Sequence, residues 1–189
     1  GHVVPLKQIA DEAIEGLSSV KSVVVIRRAG TAVPMRADRD HWWHELMATA
    51  SSSCPPEPME ANEPGIVFYT SGTTGKPKGI VHSGVAFVVN NYLYAKYHLD
   101  LHSHDVLWCT ADIGWLTLHI WGIAGALANG ATTIVYEGAL DYPTPDRFYK
   151  VVDRYHVTKI FTAPTALRML MRHGDALMAP FDLTSIDVV

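Results

Sequence analysis

The chain alternates short apolar runs with amphipathic segments over most of its length. Runs rich in β-branched or aromatic residues predict strands at 23–26, 66–69, 106–110, 132–136, 159–162 and 186–189. Apolar residues at helical spacing predict helices at 6–17, 40–50, 83–97, 115–128, 145–155 and 164–172. Strands that alternate with helices indicate βαβ units, so we expect an α/β fold with a mostly parallel sheet layered with helices.

Three of the helices carry specific expectations. Asp40 is expected to cap the helix that carries Trp42 and Trp43. The helix over 83–97 is expected to bury one apolar stripe, formed by Val85, Val88, Val89, Tyr92 and Leu93. The helix over 115–128 is rich in small residues. It is expected to pack closely against its neighbours through the face formed by Gly122, Gly125 and Ala126.

A segment with four prolines, 51–64, divides the pattern in two. We expect 1–64 to form a partial sub-structure with a strand, a helix and this Pro-rich connector. Residues 65–189 are expected to form a βαβ sub-domain, and both parts to belong to one incomplete domain. The chain lacks an initiator Met and a signal-peptide layout, and no helix follows its last strand, so we expect it to be a piece of a longer protein.

Composition narrows the class of protein. Hydrophobic residues make up 48% of the 189 positions and charged residues 18%, as in soluble globular proteins. The net charge of −4 gives no electrostatic reason to expect nucleic acid or a membrane surface as a partner. Cys54 and Cys109 lack metal-site spacing, so we expect reduced, buried thiols in a cytoplasmic protein.

The most distinctive chemistry lies at 69–79, where a predicted strand leads into Tyr-Thr-Ser-Gly-Thr-Thr-Gly-Lys-Pro-Lys-Gly. Glycines permit close backbone approach, and N–H groups, hydroxyls and ammonium groups bind phosphate. This is not the ordinary P-loop, because Thr70 stands at the position of the first glycine and Pro77 follows Lys76. A polar surface loop with ordinary turn chemistry is the alternative. The two lysines, the hydroxyls and the three glycines favour a triphosphate-binding loop.

Other candidate sites are weaker. His41 and His44 lie three apart, and His102, His104 and Asp105 form a second group. A zinc site needs three or four convergent ligands, and neither group supplies them locally, so we expect surface or partly buried histidines. The Gly-x-Ser-x-Gly elbow of a Ser-His-Asp hydrolase is absent.

Residues 112–117 directly follow a predicted strand end. The indole of Trp115 and the hydroxyl of Thr117 would wall a small acyl pocket beside the phosphate loop. Alternatively, Trp115 anchors its helix in the core, as tryptophans often do. Composition leaves both readings open.

Residues 69–79 resemble the signature loop of the adenylate-forming enzymes, which include acyl-CoA synthetases, luciferases and nonribosomal-peptide adenylation domains. The stretch from Thr70 to Gly79 is nearly the family consensus. Segments at 108–115, 130–133, 136–138 and 162–168 are similar to the acetyl-CoA synthetases of this superfamily. The resemblance implies part of the large N-terminal, AMP-binding domain of an ATP-dependent acetate–CoA ligase. ATP, Mg²⁺, acetate and coenzyme A are then the implied small-molecule partners.

The resemblance also implies residue roles. The phosphate-binding residues would be Thr70, Ser71, Gly72, Thr73, Thr74, Gly75 and Lys76, with Lys76 and Thr70 catalytic and Thr70 a possible Mg²⁺ ligand. The acyl pocket would be lined by Trp115, Leu116 and Thr117, and the approach of coenzyme A by Ala163 and Pro164. Other expected parts of the family's site are missing, so we expect the chain alone to be inactive and to self-associate through an exposed core face.

Two alternatives remain. Leu118 stands where the family has glycine, so propionate or another short acid competes with acetate as the substrate. A stand-alone nucleotide-binding or interaction module is the alternative from a different class.

Overall fold

A computed structural model describes residues 3–72 and 75–189. The chain forms two compact units, Gly1–Glu57 and Pro58–Val189. The boundary between them falls inside the Pro-rich segment 51–64. The assignment of 1–64 and 65–189 as the two parts of one larger domain stays a prediction.

The first unit contains two helices and a small parallel sheet. In order these are α1 (Leu6–Ala13), β1 (Val23–Val25), β2 (Asp40–Trp42) and α2 (Trp43–Thr49). Strand β2 pairs in parallel with β1, and Val23 lies opposite Asp40. The predicted cap at Asp40 is therefore wrong, because Asp40 lies in a strand and Trp42 is the N-cap residue of α2.

Asp40 is instead part of a buried ion network. Its carboxylate accepts hydrogen bonds from Arg36 N at 2.9 Å and from Arg39 Nε at 2.6 Å, and it lies 2.8 Å from Lys7 Nζ. Asp11 bridges the same two cations, with Lys7 at 2.6 Å and Arg39 at 2.5 Å. The hydrogen bond from Arg39 holds the pKa of the Asp40 carboxyl far below its ordinary value, although burial opposes the shift.

The second unit begins with a hairpin and a long helix. Strands β3 (Pro64–Thr70) and β4 (Lys78–Ser83) pair antiparallel, and α3 (Gly84–His98) follows. Ser83 caps α3 by accepting a hydrogen bond from Ala86 N at 3.3 Å. The expectation that β3 belongs to one mostly parallel sheet is wrong, because the short connection to β4 suits a hairpin and a parallel partner needs a long crossover.

A separate three-stranded parallel sheet has the order β6-β5-β7. Its strands are β5 (Val106–Cys109), β6 (Thr132–Ile134) and β7 (Lys159–Phe161). The π-helix Leu118–Gly125 and α4 (Ala126–Ala128) connect β5 to β6, and α5 (Arg147–Tyr155) connects β6 to β7. Helix α6 (Pro164–Met171) and a 3-10 turn (Asp175–Leu177) follow, and Val188 forms a parallel bridge with Lys159. The α/β class is confirmed, whereas the sheets are small and of both kinds.

Two apolar clusters hold this unit together. Trp108 of β5 stacks on Phe148 of α5 with ring centroids 5.1 Å apart. The second cluster joins α3 to the π-helix, where a Cβ added at Gly125 would lie 2.9 Å from Ala95 Cβ. This confirms the predicted close packing through small residues. Within the described ranges, no helix is both long enough and apolar enough to cross a membrane.

Two burial predictions are wrong. The predicted stripe of α3 is largely exposed, with Val88 at 53%, while Asn91 and Ala95 form the buried face. Cys54 is exposed, whereas Cys109 is buried and its burial raises the pKa of the thiol.

Candidate functional site

The predicted phosphate loop is the turn of the β3–β4 hairpin. Thr70 and Lys78 form the last pair of the ladder, so residues 71–77 span the turn. Gly72 and Gly75 have φ values of +62° and +86°, in the left-handed region that glycine favours. A Cβ added at Gly72 would overlap the carbonyl oxygen of Lys76. The backbone of the loop therefore closes on itself at a position where only glycine fits.

The polar side chains of this loop face solvent. Thr70, Ser71 and Lys76 are exposed. Among residues 3–72 and 75–189, no carboxylate lies within 4.0 Å of the ammonium groups of Lys76 or Lys78. Thr73 and Thr74, which the sequence assigns to phosphate binding, lie outside the described residues. The described loop thus presents unneutralised positive charge beside hydroxyl groups, which suits a phosphate ligand.

Residues 112–115 form a compact turn after β5, and Leu116 and Thr117 begin the helical segment that follows. Gly114 N donates to Asp112 Oδ1 at 2.8 Å, and Trp115 N donates to Asp112 O at 3.0 Å. Trp115 is 69% exposed, so it does not anchor the core. Leu116 and Thr117 are half-buried. The exposed indole thus stands beside two half-buried side chains, an arrangement that can line one wall of a small pocket.

Leu118, which stands where the resemblance implies a glycine, points into the interior. It is 3% exposed, and a Cβ added at Gly122 would lie 2.6 Å from Leu118 Cδ1 and 2.7 Å from Cys109 Cβ. The glycine at 122 therefore makes room for the leucine at 118. The substitution fills space between the π-helix and β5 rather than adding an exposed side chain to the turn.

His119 joins the hairpin to this turn. Its ring lies 5.5 Å, centroid to centroid, from that of Phe68 in β3, and its Nε2 lies 2.8 Å from Ile113 O. The strand that leads into the phosphate loop and the predicted acyl segment are thus tied by one side chain. Sequence analysis did not single out His119. A signal was available, because it is the only polar residue in the stretch Leu118–Gly125.

The carboxyl ends of β5 and β7 lie side by side. Thr110 Oγ1 is 2.6 Å from Thr162 Oγ1, and Thr110 N donates to Phe161 O at 3.0 Å. Ala163 and Pro164 follow directly and are exposed, with Pro164 at the first turn of α6. The segments predicted to meet acetate and coenzyme A therefore leave neighbouring parallel strands at the same sheet edge, where ligands of α/β folds bind. The end of β3 belongs to a different sheet.

Comparison with known proteins identifies the family. A family model described as AMP-binding enzyme matches residues 3–189. Among curated proteins, the chain is 45% identical over 192 residues to the acetyl-coenzyme A synthetase of Pyrobaculum aerophilum, covering 100% of the chain and 29% of that protein. The acetyl-coenzyme A synthetases of Bdellovibrio bacteriovorus and Aeromonas salmonicida are 48% and 50% identical, over 92% of the chain and 27% of each relative. The chain thus spans less than a third of the length of these relatives, and it belongs to the family of AMP-binding enzymes.

Proposed function

We propose that the chain is part of an ATP-dependent acetate–CoA ligase and supplies its phosphate-binding loop. The proposal rests on the structure of the loop. Its backbone passes so close to itself at Gly72 and Lys76 that only glycine fits at position 72. The ammonium groups of Lys76 and Lys78 have no carboxylate partner in the described ranges. The relatives named acetyl-coenzyme A synthetase support the choice of reaction.

In the first half-reaction, a carboxylate oxygen of acetate attacks the α-phosphorus of ATP. The bond from that phosphorus to the bridging oxygen breaks, and pyrophosphate leaves with the electron pair. Lys76, the hydroxyls of Thr70 and Ser71 and the loop N–H groups would bind the β- and γ-phosphates, where negative charge accumulates. The exposed hydroxyl of Thr70 fits a Mg²⁺ ligand, and the ion would neutralise phosphate charge when bound.

Acetate would bind in a pocket lined by Trp115, Leu116 and Thr117. Leu118 packs into the interior beside Gly122, so the larger side chain would not narrow this pocket. The pocket would then keep the size that is usual in the acetyl-CoA synthetase family. In the second half-reaction the thiol of coenzyme A attacks the acyl carbonyl carbon, and AMP leaves. Ala163 and Pro164, at the sheet edge next to that turn, would line the approach of the thiol.

Exposed apolar side chains on the second unit fit a piece of a longer protein. Val67, Val81 and Val88 are 48%, 59% and 53% exposed on β3, β4 and α3. Further chain of the longer enzyme would cover such side chains, and the isolated chain would self-associate through them. The cytoplasmic location rests on the two free cysteines and stays a prediction.

Release of pyrophosphate with ATP, Mg²⁺ and a carboxylic acid tests the proposal. We expect the 189-residue chain alone to release none, and a full-length enzyme that contains it to release pyrophosphate only when acid is added. Acetate should outcompete propionate and butyrate. Clear turnover by the isolated chain would refute its role as a partial site, and a preference for longer acids would remove acetate.

A further inference from the structure

The turn between α3 and β5 brings three metal-binding side chains together. The ligand atoms of His102, His104 and Asp105 all lie within 4.8 Å of one another. Across residues 3–72 and 75–189, no other group of three or more His, Cys, Asp or Glu side chains converges in this way. From sequence, surface or partly buried histidines without convergent ligands are expected here, so the convergence comes from the folded turn.

One of the three ligands is fixed in place by the sheet. Asp105 is buried, and its Oδ1 accepts a hydrogen bond from Thr158 Oγ1 at 2.7 Å. Its Oδ2 accepts one from His102 N at 2.7 Å. Thr158 Oγ1 also accepts from Val106 N at 3.0 Å, so the carboxylate is anchored where both β5 and β7 begin. Ligating carboxylates in metal sites are typically held by such supporting hydrogen bonds.

The two histidines are placed to complete the site. His102 Nδ1 lies 3.7 Å from Asp105 Oδ2, while His102 Nε2 lies 3.8 Å from Asp100 Oδ1. One ring nitrogen thus faces the ligand cluster, and the other faces the exposed carboxylate of Asp100. The ring of His104 stacks on that of His102 with centroids 5.5 Å apart, and both rings are exposed.

We propose that His102, His104 and Asp105 bind a divalent transition-metal ion such as Zn²⁺, with water in the remaining positions. Imidazole nitrogens select Zn²⁺, Co²⁺ or Ni²⁺ over Mg²⁺ and Ca²⁺, which prefer oxygen ligands. The bound ion would join the turn after α3 to the shared edge of β5 and β7, and would stabilise the folded chain by mass action. This site is separate from the phosphate loop and does not depend on the proposed ligase activity.

Titration of the untagged chain with Zn²⁺ by calorimetry tests the site, and Co²⁺ absorption reports the coordination. We expect one ion per chain, a higher melting temperature with Zn²⁺ and no competition from Mg²⁺. His102→Gln and His104→Gln should each weaken binding by more than about tenfold, since each removes a ligand. Both side chains are exposed, so neither variant should impair folding, and circular dichroism verifies this. His173→Gln, at an exposed histidine outside the cluster, is the matched control and should bind as the wild type does.

Two outcomes would overturn the proposal. One is the absence of saturable Zn²⁺ binding up to about 100 µM, because a preorganised metal site should have a lower dissociation constant. The other is unchanged affinity in the folded His102→Gln, His104→Gln double variant, which would place the ion elsewhere. Because both measurements use binding and melting alone, they remain informative even if the ligase proposal fails.

Discussion

The hydroxyl groups of Thr110 and Thr162 lie 2.6 Å apart and join the carboxyl ends of two neighbouring parallel strands, β5 and β7. Each threonine lies shortly before a segment proposed to contact a substrate. Residues 112–117 follow Thr110, and Ala163 follows Thr162. This hydrogen bond therefore sets the spacing between the proposed acetate wall and the proposed approach of coenzyme A.

Replacing either threonine by valine should destabilise the chain by about 1 kcal/mol, because the remaining hydroxyl loses a partner in a partly buried place. The Thr110→Val, Thr162→Val double variant should cost less than the sum of the two, since no unpaired hydroxyl remains. Urea unfolding measures all three. Thr132→Val, at an exposed strand position, should change stability little. Strict additivity would show that the two hydroxyls do not interact.

The contact of His119 with Ile113 and Phe68 predicts a local effect on residues 111–117. His119→Phe keeps a ring against Phe68 but loses the hydrogen bond to Ile113 O. We expect amide exchange in 111–117 to accelerate about fivefold, as the loss of about 1 kcal/mol implies. His119→Ala should also accelerate exchange in 66–70, because the ring contact disappears. Hydrogen-exchange mass spectrometry measures both effects, with His173→Ala as the control. Wild-type exchange rates in both His119 variants would show that His119 does not link β3 to residues 111–117.

The buried ion network of the first unit predicts acid sensitivity. The pKa values of Asp11 and Asp40 are lowered from 3.8 by their hydrogen bonds with Lys7 and Arg39. The unfolded chain therefore binds protons at a higher pH than the folded one does. The stabilisation is complete above about pH 5 and is lost as the pH falls through the unfolded-state and then the folded-state pKa values.

Asp40→Asn should lower stability by about 3 kcal/mol at pH 7, because Lys7 and Arg39 lose a buried counter-charge. It should also reduce the difference in stability between pH 7 and pH 3. Asp38→Asn is the matched control, since its pair with Arg36 is exposed on both sides and should contribute little to stability. Urea-dependent hydrogen exchange of residues 3–57 measures the effect. An unchanged pH dependence in Asp40→Asn would contradict this role of the network.

Several local features of the fold around the candidate site were predictable from sequence. Glycines, hydroxyls and lysines after an apolar run indicated a loop that holds an anion, and the structure has a turn that only glycine fits at position 72. Pro164 correctly marked the start of a helix, and Gly125 correctly marked a close helix contact. These features depend on the residues at one position and their immediate neighbours.

Features that depend on distant parts of the chain were not predictable in this way. Helix α3 is apolar on most of its surface, so its periodicity did not reveal that the face with Asn91 and Ala95 is the buried one. One partner of Asp40 is Lys7, far back in the chain, and the local sequence around Asp40 does not reveal that ion pair. The bridging role of His119 likewise follows from tertiary contacts.

The central claim is that the loop of residues 70–76 binds the phosphates of ATP for acetate activation. The most direct measurement is acetate-dependent pyrophosphate release by the full-length enzyme that contains this chain, in wild-type and Lys76→Ala forms. Loss of a charge-assisted phosphate contact of about 1.5–3 kcal/mol predicts a decrease in kcat/KM for ATP of about 10- to 150-fold. Lys96→Ala, which removes an exposed lysine bonded to Tyr92, should leave the rate unchanged. Wild-type kinetics in Lys76→Ala would contradict the account.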